Sequence, residues 1–175
     1  MKELKLLLEK VNIKFLQIID CEADDLIATF INKNKNSLPD FEFDIFTRDK
    51  DLLQLINENT NILKYIEGKI TLYNYQLFVQ EYKFSPNNYV DYLSLLGDNV
   101  DNVPGIKGIG PVSTRNLIQQ FQTLENIYQK ITDLPENIKQ LLENKEDLVF
   151  ANKKIINLVT DIFLPLELYQ NCDFN

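Results

Sequence analysis

The stretch LSLLGDNVDNVPGIKGIGPVSTRNLI, Leu93 to Ile118, decides how the rest of the chain is read. Asp98 and Asp101 stand three apart and run directly into Gly105, Gly108 and Gly110. The acidic half should repel a polyanion. The glycine half has the residues a tight hairpin needs for unusual dihedrals or close backbone approach. Ile106 and Ile109 are expected to anchor that hairpin in a core, and Pro111 sits where a helix would take its first turn. Exposed N–H groups at such a turn and helix start bind phosphate oxygens without net positive charge. A plain helix–helix connection could use the same residues.

Outward from this stretch, the chain divides by character. Towards the N-terminus, Leu4, Leu7, Leu8 and Val11 recur at helical spacing, and IKFLQII (13–19) is a short apolar run of strand type. EADDLIATFINKN (22–34) predicts a helix, with Pro39 closing the linker after it. FEFDIFT (41–47) alternates as a strand does, DLLQLIN (51–57) predicts a short helix, and NILKYI and KITLYN predict two strands joined by Glu67-Gly68. This alternation predicts an α/β unit with a largely parallel sheet over 1–74. From Tyr75 to the end, helix-like segments punctuated by Pro86, Pro104, Gly105, Gly110 and Pro135 predict an all-helical lobe over 75–175.

Two further acidic motifs join GDNVD. In CEADD, Glu22 and Asp25 share a helix face, with Asp24 beside them. In TRDKD, Asp49 and Asp51 lie just past a strand's carboxyl end, where ligands sit in α/β sheets. Taken singly, each has a bland reading: a helix cap, a solvated turn, a capped loop. Together they offer seven carboxylates at element ends. Facing one cleft, these would not stay ionised without cations, and hard oxygen ligands suit Mg²⁺ or Mn²⁺ rather than zinc.

Composition narrows the chemistry. The 175 residues carry a formal net charge of −8, which by itself argues against nucleic-acid contact unless metal ions neutralise the acidic site. The absence of histidine excludes Ser-His-Asp and Cys-His catalysis and an imidazole base. Cys21 and Cys172, far apart and with no secretory signal in MKELKLLLEKVNIKFLQIID, predict free thiols in a reducing cytoplasm. No apolar run reaches the length of a membrane span.

CEADDLIATF, TRDKDLLQL and YLSLLGDNVDNVPGIKGIGPVST, in that order and spacing, resemble three successive motifs of the 5′ nuclease (flap endonuclease) superfamily. They are most similar to the 5′→3′ exonuclease domain of bacterial DNA polymerase I and its stand-alone relatives. FQTLENIYQKI and LPLEL resemble that domain's C-terminal part, so the similarity spans nearly the whole chain. The resemblance implies a partial Rossmann-like (PIN-like) lobe followed by a helical lobe with a helix–hairpin–helix (H3TH) at about 93–118. Glu22, Asp24, Asp25 and Asp49 would serve a first divalent metal, and Asp51, Asp98 and Asp101 a second. Gly105, Ile106, Lys107, Gly108, Ile109, Gly110, Ser113, Thr114 and Arg115 would hold the DNA duplex, with K⁺ on the hairpin carbonyls. The implied reaction is phosphodiester hydrolysis at DNA 5′ ends and 5′ flaps in replication and repair. Two Mg²⁺ or Mn²⁺ ions about 4 Å apart would flank the attacking and leaving oxygens.

Three residues depart from the family pattern. Arg48 replaces a small residue before DKD, Cys21 a common aromatic, and Val112 a frequent lysine, which removes one phosphate contact. The family's opening strand, second acidic segment and basic arch have no counterpart in the sequence. The chain therefore corresponds to the later part of the domain, and is expected to be feeble alone, to self-associate, or to need an N-terminal half in trans. The competing reading is a DNA-binding module without catalysis. A PIN-like ribonuclease and a phosphatase built on DKD are weaker rivals, the first opposed by the glycine hairpin.

Overall fold

The computed structural model describes residues 2–35 and 40–165. The expected break at Pro39, the Cys172 thiol and the end of LPLEL lie outside them. The chain forms two compact units, Met1–Pro39 with Leu158–Asn175, and Asp40–Asn157.

The first unit holds α1 (Lys2–Lys10) and α2 (Ala23–Asn34). Leu26, Ala28 and Ile31 give α2 its buried side. Its polar face is spanned by a segment far away in sequence. Thr29 Oγ1 donates to Val159 O (3.2 Å), Asn32 to Thr160 O (3.3 Å) and Lys33 to Ile162 O (2.6 Å). The strand expected at 13–19 does not form. A strand exists only through ladder bonds to a neighbour, and no described residue offers one. Ile13 and Ile19 are exposed, so the apolar run reported hydrophobicity and not pairing.

The second unit begins with β1 (Phe43–Phe46), β2 (Thr60–Ile66) and β3 (Lys69–Tyr73), in that spatial order. The β1–β2 pair is parallel and the β2–β3 pair antiparallel, so the described sheet is mixed. A crossover from Thr47 to Asn59 through a 3₁₀ turn (Asp51–Leu55) makes the first pairing possible. Glu67 (φ 48°) and Gly68 (φ 83°) make the two-residue hairpin of the second. Two positive φ angles in succession match the right-handed strand twist.

Helices follow: α3 (Tyr75–Tyr82), α4 (Tyr89–Leu96), α5 (Pro111–Phe121), α6 (Leu124–Gln129), α7 (Glu136–Leu142) and α8 (Glu146–Ile156). The core of this unit includes Leu52, Ile62, Phe78, Tyr89, Leu95, Ile118 and Val149. An aromatic cluster of Phe78, Tyr82, Phe84, Tyr89 and Tyr92 joins α3 to α4, with Phe78 edge-on to Tyr89 at 5.5 Å. Such pairs add roughly 1 kcal/mol each beyond their buried area. The α/β-then-helical architecture agrees with the sequence-based expectation.

Candidate metal centre and nucleic-acid interface

α4 ends at Gly97 (φ 79°), a conformation that side chains rarely adopt. The chain then closes on itself. Asp98 N–H donates to Val103 O and Val103 N–H to Asp98 O, both at 2.8 Å. Between them Asp98 Oδ1 accepts the Val100 N–H at 2.8 Å, and Asn102 turns at φ 56°. This small closed loop fixes Asp98, which is almost wholly buried, and brings Asp101 beside it.

The loop after β1 supplies the facing residues. Asp49 N–H donates to Thr47 Oγ1 (3.0 Å), and Asp49 Oδ1 accepts the Asp51 N–H (2.9 Å). Asp51 thereby starts the 3₁₀ turn with its carboxyl group turned towards the 98–103 loop. One carboxylate oxygen from each of Asp51, Asp98 and Asp101 lies within 4.8 Å of those of the other two. Asp51 Oδ1 is buried and has no hydrogen-bond partner. Lys50 Nζ pairs with Asp98 Oδ2.

The electrostatics follow from this crowding. Burial, then repulsion from Asp49, Asp101 and Asp98, pushes the Asp51 carboxyl up to about 6 against the opposing pull of Lys50. Asp101 is raised for the same reasons, burial first and then Asp98 and Asp49. Burial also works against ionisation of Asp98, but the Lys50 and Val100 hydrogen bonds overcome it and hold the group below the usual carboxylate range. An orphaned buried oxygen beside like charges fits a hard divalent cation, because such an ion satisfies the oxygen and removes the repulsion.

Of the seven acidic residues predicted, Asp51, Asp98 and Asp101 converge, and Asp49 is near enough to raise two of them. Glu22, Asp24 and Asp25 belong to the first unit. Glu22 takes the N-cap position of α2 without a side-chain cap bond, and its carboxylate is exposed. Asp25 Oδ1 accepts the Val159 N–H (2.8 Å), which commits part of that carboxylate to holding the 158–163 segment.

The hairpin sits directly after the acidic loop. Gly105 packs against the end of α4, and a Cβ there would lie 1.9 Å from Leu96 O. Ile106 and Ile109 are buried as expected, and Ile106 N–H donates to Leu95 O (3.0 Å). Their side chains are therefore anchors, and only their backbone could face a ligand. Lys107, Gly108 (φ 93°) and Gly110 are exposed, and a Cβ on Gly110 would meet nothing within 4 Å. Ser113 is half-buried. Thr114 is turned inward, its amide and hydroxyl both donating to Gly110 O at 3.0 Å, so its side chain organises the helix start and is not presented to solvent. Arg115 is half-buried beside Tyr92, and its Nε is buried without a hydrogen-bond partner.

Two supporting residues were missed in the sequence. Asn152, buried on α8, donates to Ser94 O (3.0 Å) and Pro104 O (2.8 Å), so it ties together the two ends of the acidic loop. A polar residue in line with Val149 and Ile156 on the apolar side of α8 was the available signal. Lys50 was missed because sequence spacing does not say which way the middle residue of DKD turns.

Family models match both parts of the chain. Residues 1–83 match the 5′-3′ exonuclease N-terminal resolvase-like domain, and residues 84–174 the 5′-3′ exonuclease C-terminal SAM fold. The chain belongs to the 5′-3′ exonuclease family. This 5′-3′ exonuclease family member is 38% identical over 155 residues to the 5′-3′ exonuclease of Mycoplasma genitalium, covering 87% of this chain and 51% of that one. It is 34% identical over 162 residues to DNA polymerase I of Caldicellulosiruptor bescii, covering 90% and 19%. The chain thus spans about half the length of that exonuclease relative. Its fold resembles the bacteriophage T5 flap endonuclease in a complex with DNA and metal ions, with a TM-score of 0.73, 23% identity, and 89% and 56% of the two chains covered. Among the described residues no helix is long and apolar enough to cross a membrane.

Proposed function

We propose that the chain carries the later part of a metal-dependent 5′→3′ exonuclease and 5′-flap endonuclease site acting on DNA. The observation that carries this is the convergence of Asp51, Asp98 and Asp101 around a buried, unpartnered oxygen immediately before an exposed glycine hairpin. Family membership supports the reaction class. Asp51, Asp98 and Asp101 would hold one Mg²⁺ or Mn²⁺, and the family resemblance assigns Glu22, Asp24, Asp25 and Asp49 to the other. Bound divalent cations supply charge neutralisation at the scissile phosphate and activation of water.

The chain's own residues do the positioning. The exposed N–H groups of Lys107, Gly108 and Gly110 and the start of α5 receive duplex phosphates, with K⁺ completing the contact on the hairpin carbonyls. Gly105 and the inward Ile106 and Ile109 keep that surface rigid. Arg115, beside Tyr92, adds positive charge behind it. We read 1–74 as a partial PIN-like α/β catalytic lobe and 75–175 as a helical DNA-binding lobe that also contributes Asp98 and Asp101, working in a reducing cytoplasm on replication and repair intermediates.

Calorimetric titration with Mn²⁺, followed by cleavage of a 5′-flap duplex, tests this reading. The parent should bind Mn²⁺, and Asp98→Asn should lose both binding and any Mn²⁺-dependent cleavage. A parent that binds no divalent cation overturns the proposal. Duplex binding without cleavage by a metal-loaded parent would favour the second reading, a DNA-binding fragment or subunit that needs an N-terminal half in trans or a second copy. The self-contained hairpin in one continuous unit supports that alternative.

A further inference from the structure

We infer that Lys50 is the resident counter-cation of the acidic centre, which a divalent ion must displace from Asp98 in order to bind. This rests on the metal reading above. Asp98 has two oxygens. Oδ1 is committed to the Val100 N–H, so Oδ2 is the one left for a cation, and the Lys50 ammonium holds it. The same carboxylate contributes to the cluster whose oxygens lie within 4.8 Å of one another. The ammonium also acts electrostatically on Asp51 and Asp101, so its charge serves the group as a whole. A hard divalent ion binds carboxylate oxygen at about 2.1 Å, and a second cation on that oxygen would be strongly repelled. The ammonium and the metal therefore compete for Asp98 Oδ2.

The two partners differ in their freedom to move. The Asp98 side chain is 2% exposed and its backbone N–H and C=O both bond Val103, whereas the Lys50 side chain is 44% exposed. Its four-carbon stem can swing outward without disturbing the core, since Leu52 and Leu53 anchor the turn that follows. Paired with Asp98, Lys50 offsets part of the repulsion among the carboxylates, and a divalent ion on Oδ2 would turn it outward. Lys50 thus sets how tightly the centre binds its ion, a positioning role distinct from ligation.

Titration of the parent, Lys50→Met and Lys50→Arg with Mn²⁺, together with melts in chelator, tests the inference. Lys50→Met keeps the length of the stem and removes the competing charge. It should bind Mn²⁺ about tenfold more tightly and melt lower when metal-free, as expected from losing one charge-assisted bond. Lys50→Arg should restore affinity to within about threefold of the parent. Unchanged or weaker Mn²⁺ affinity in Lys50→Met overturns the inference while leaving the metal reading intact. Equal tightening in the Arg variant overturns it too, since charge would not be the cause. If neither the parent nor Lys50→Met binds Mn²⁺, the metal reading fails and takes this inference with it.

Discussion

Two neighbouring turns of similar size, 98–103 and 105–110, solve opposite electrostatic problems. The first gathers negative charge. It closes through a pair of backbone hydrogen bonds, turns Asp98 inward and leaves the Asp101 carboxylate facing its neighbours. The second removes side chains from its outer face, buries Ile106 and Ile109, and shows backbone at Lys107, Gly108 and Gly110. Both are pinned by apolar anchors, Val103 in one and the two isoleucines in the other. The difference lies in what remains outside. Acidic groups attract cations, whereas bare N–H groups can donate to phosphate, and the two sit only a few residues apart because Gly97 and Gly105 let the chain fold back tightly between them.

The most severe way to break this comparison is Gly105→Ala. Its Cβ would lie 1.9 Å from Leu96 O, a backbone atom that cannot yield cheaply. We expect a loss of about 3 kcal/mol or more, with both turns disordered together, measurable by chemical denaturation. If only duplex binding fell while Mn²⁺ binding survived, the two turns would not share a pivot. Asp98→Asn should cost roughly 1–3 kcal/mol, because it weakens charge-assisted bonds to Lys50 and the Val100 N–H. Gly108→Ala should cost roughly 1–2 kcal/mol, because a left-handed φ of 93° strains any side chain. It should reduce duplex binding and leave Mn²⁺ affinity unchanged, which would separate the turns cleanly.

Asp51→Asn should act in the opposite direction to Asp98→Asn. The folded-state pKa of Asp51 is raised to about 6 from 3.8, so the folded protein keeps a proton that the unfolded chain has lost. Stability contributed by this group therefore falls as pH rises between about 4 and 6, and the cost is fully present above that. In chelator at pH 7 the variant should be stabilised by on the order of 1 kcal/mol, after discounting for solvent screening, or about 2–4 °C in Tm. The gain should vanish near pH 4. A gain independent of pH would mean that charge crowding is not its source. The smallest effect is expected from Val112→Lys, at an exposed position beside the hairpin. Stability should not change, and the salt dependence of duplex binding should steepen by about one phosphate contact.

The sequence was most informative where burial and backbone conformation leave a local mark. α2 was legible as a helix, though the side it buries (Leu26, Ala28, Thr29, Ile31) differs from the apolar spacing; α5 follows from the Pro111 start, the 67–68 hairpin from Glu-Gly, and the inward isoleucines from GIKGIG. The convergence of Asp51 with Asp98 and Asp101 was legible only through the joint occurrence of the motifs, since 47 positions separate Asp51 from Asp98. Unread features depend on distant partners. The 13–19 run lacks a ladder, Lys50 turns towards a carboxylate supplied by a later loop, and Asp25 receives an amide from Val159. No local pattern encodes which far segment will arrive. Thr114 illustrates a subtler limit: its hydroxyl suits phosphate, but the helix start uses it first.

The bonds from α2 to the 158–163 segment join positions about 130 apart. During synthesis, α2 leaves the ribosome long before these partners are made. At about 5–20 residues per second the wait is on the order of ten seconds. Throughout that time the Thr29, Asn32 and Lys33 face has only water, and its partners follow only after residue 157 completes the continuous 40–157 unit. The molecule is therefore expected to fold from its middle outward, with the first helices among the last parts to settle, and a chain truncated after Asn157 should show a protected 40–157 unit and a protease-sensitive beginning.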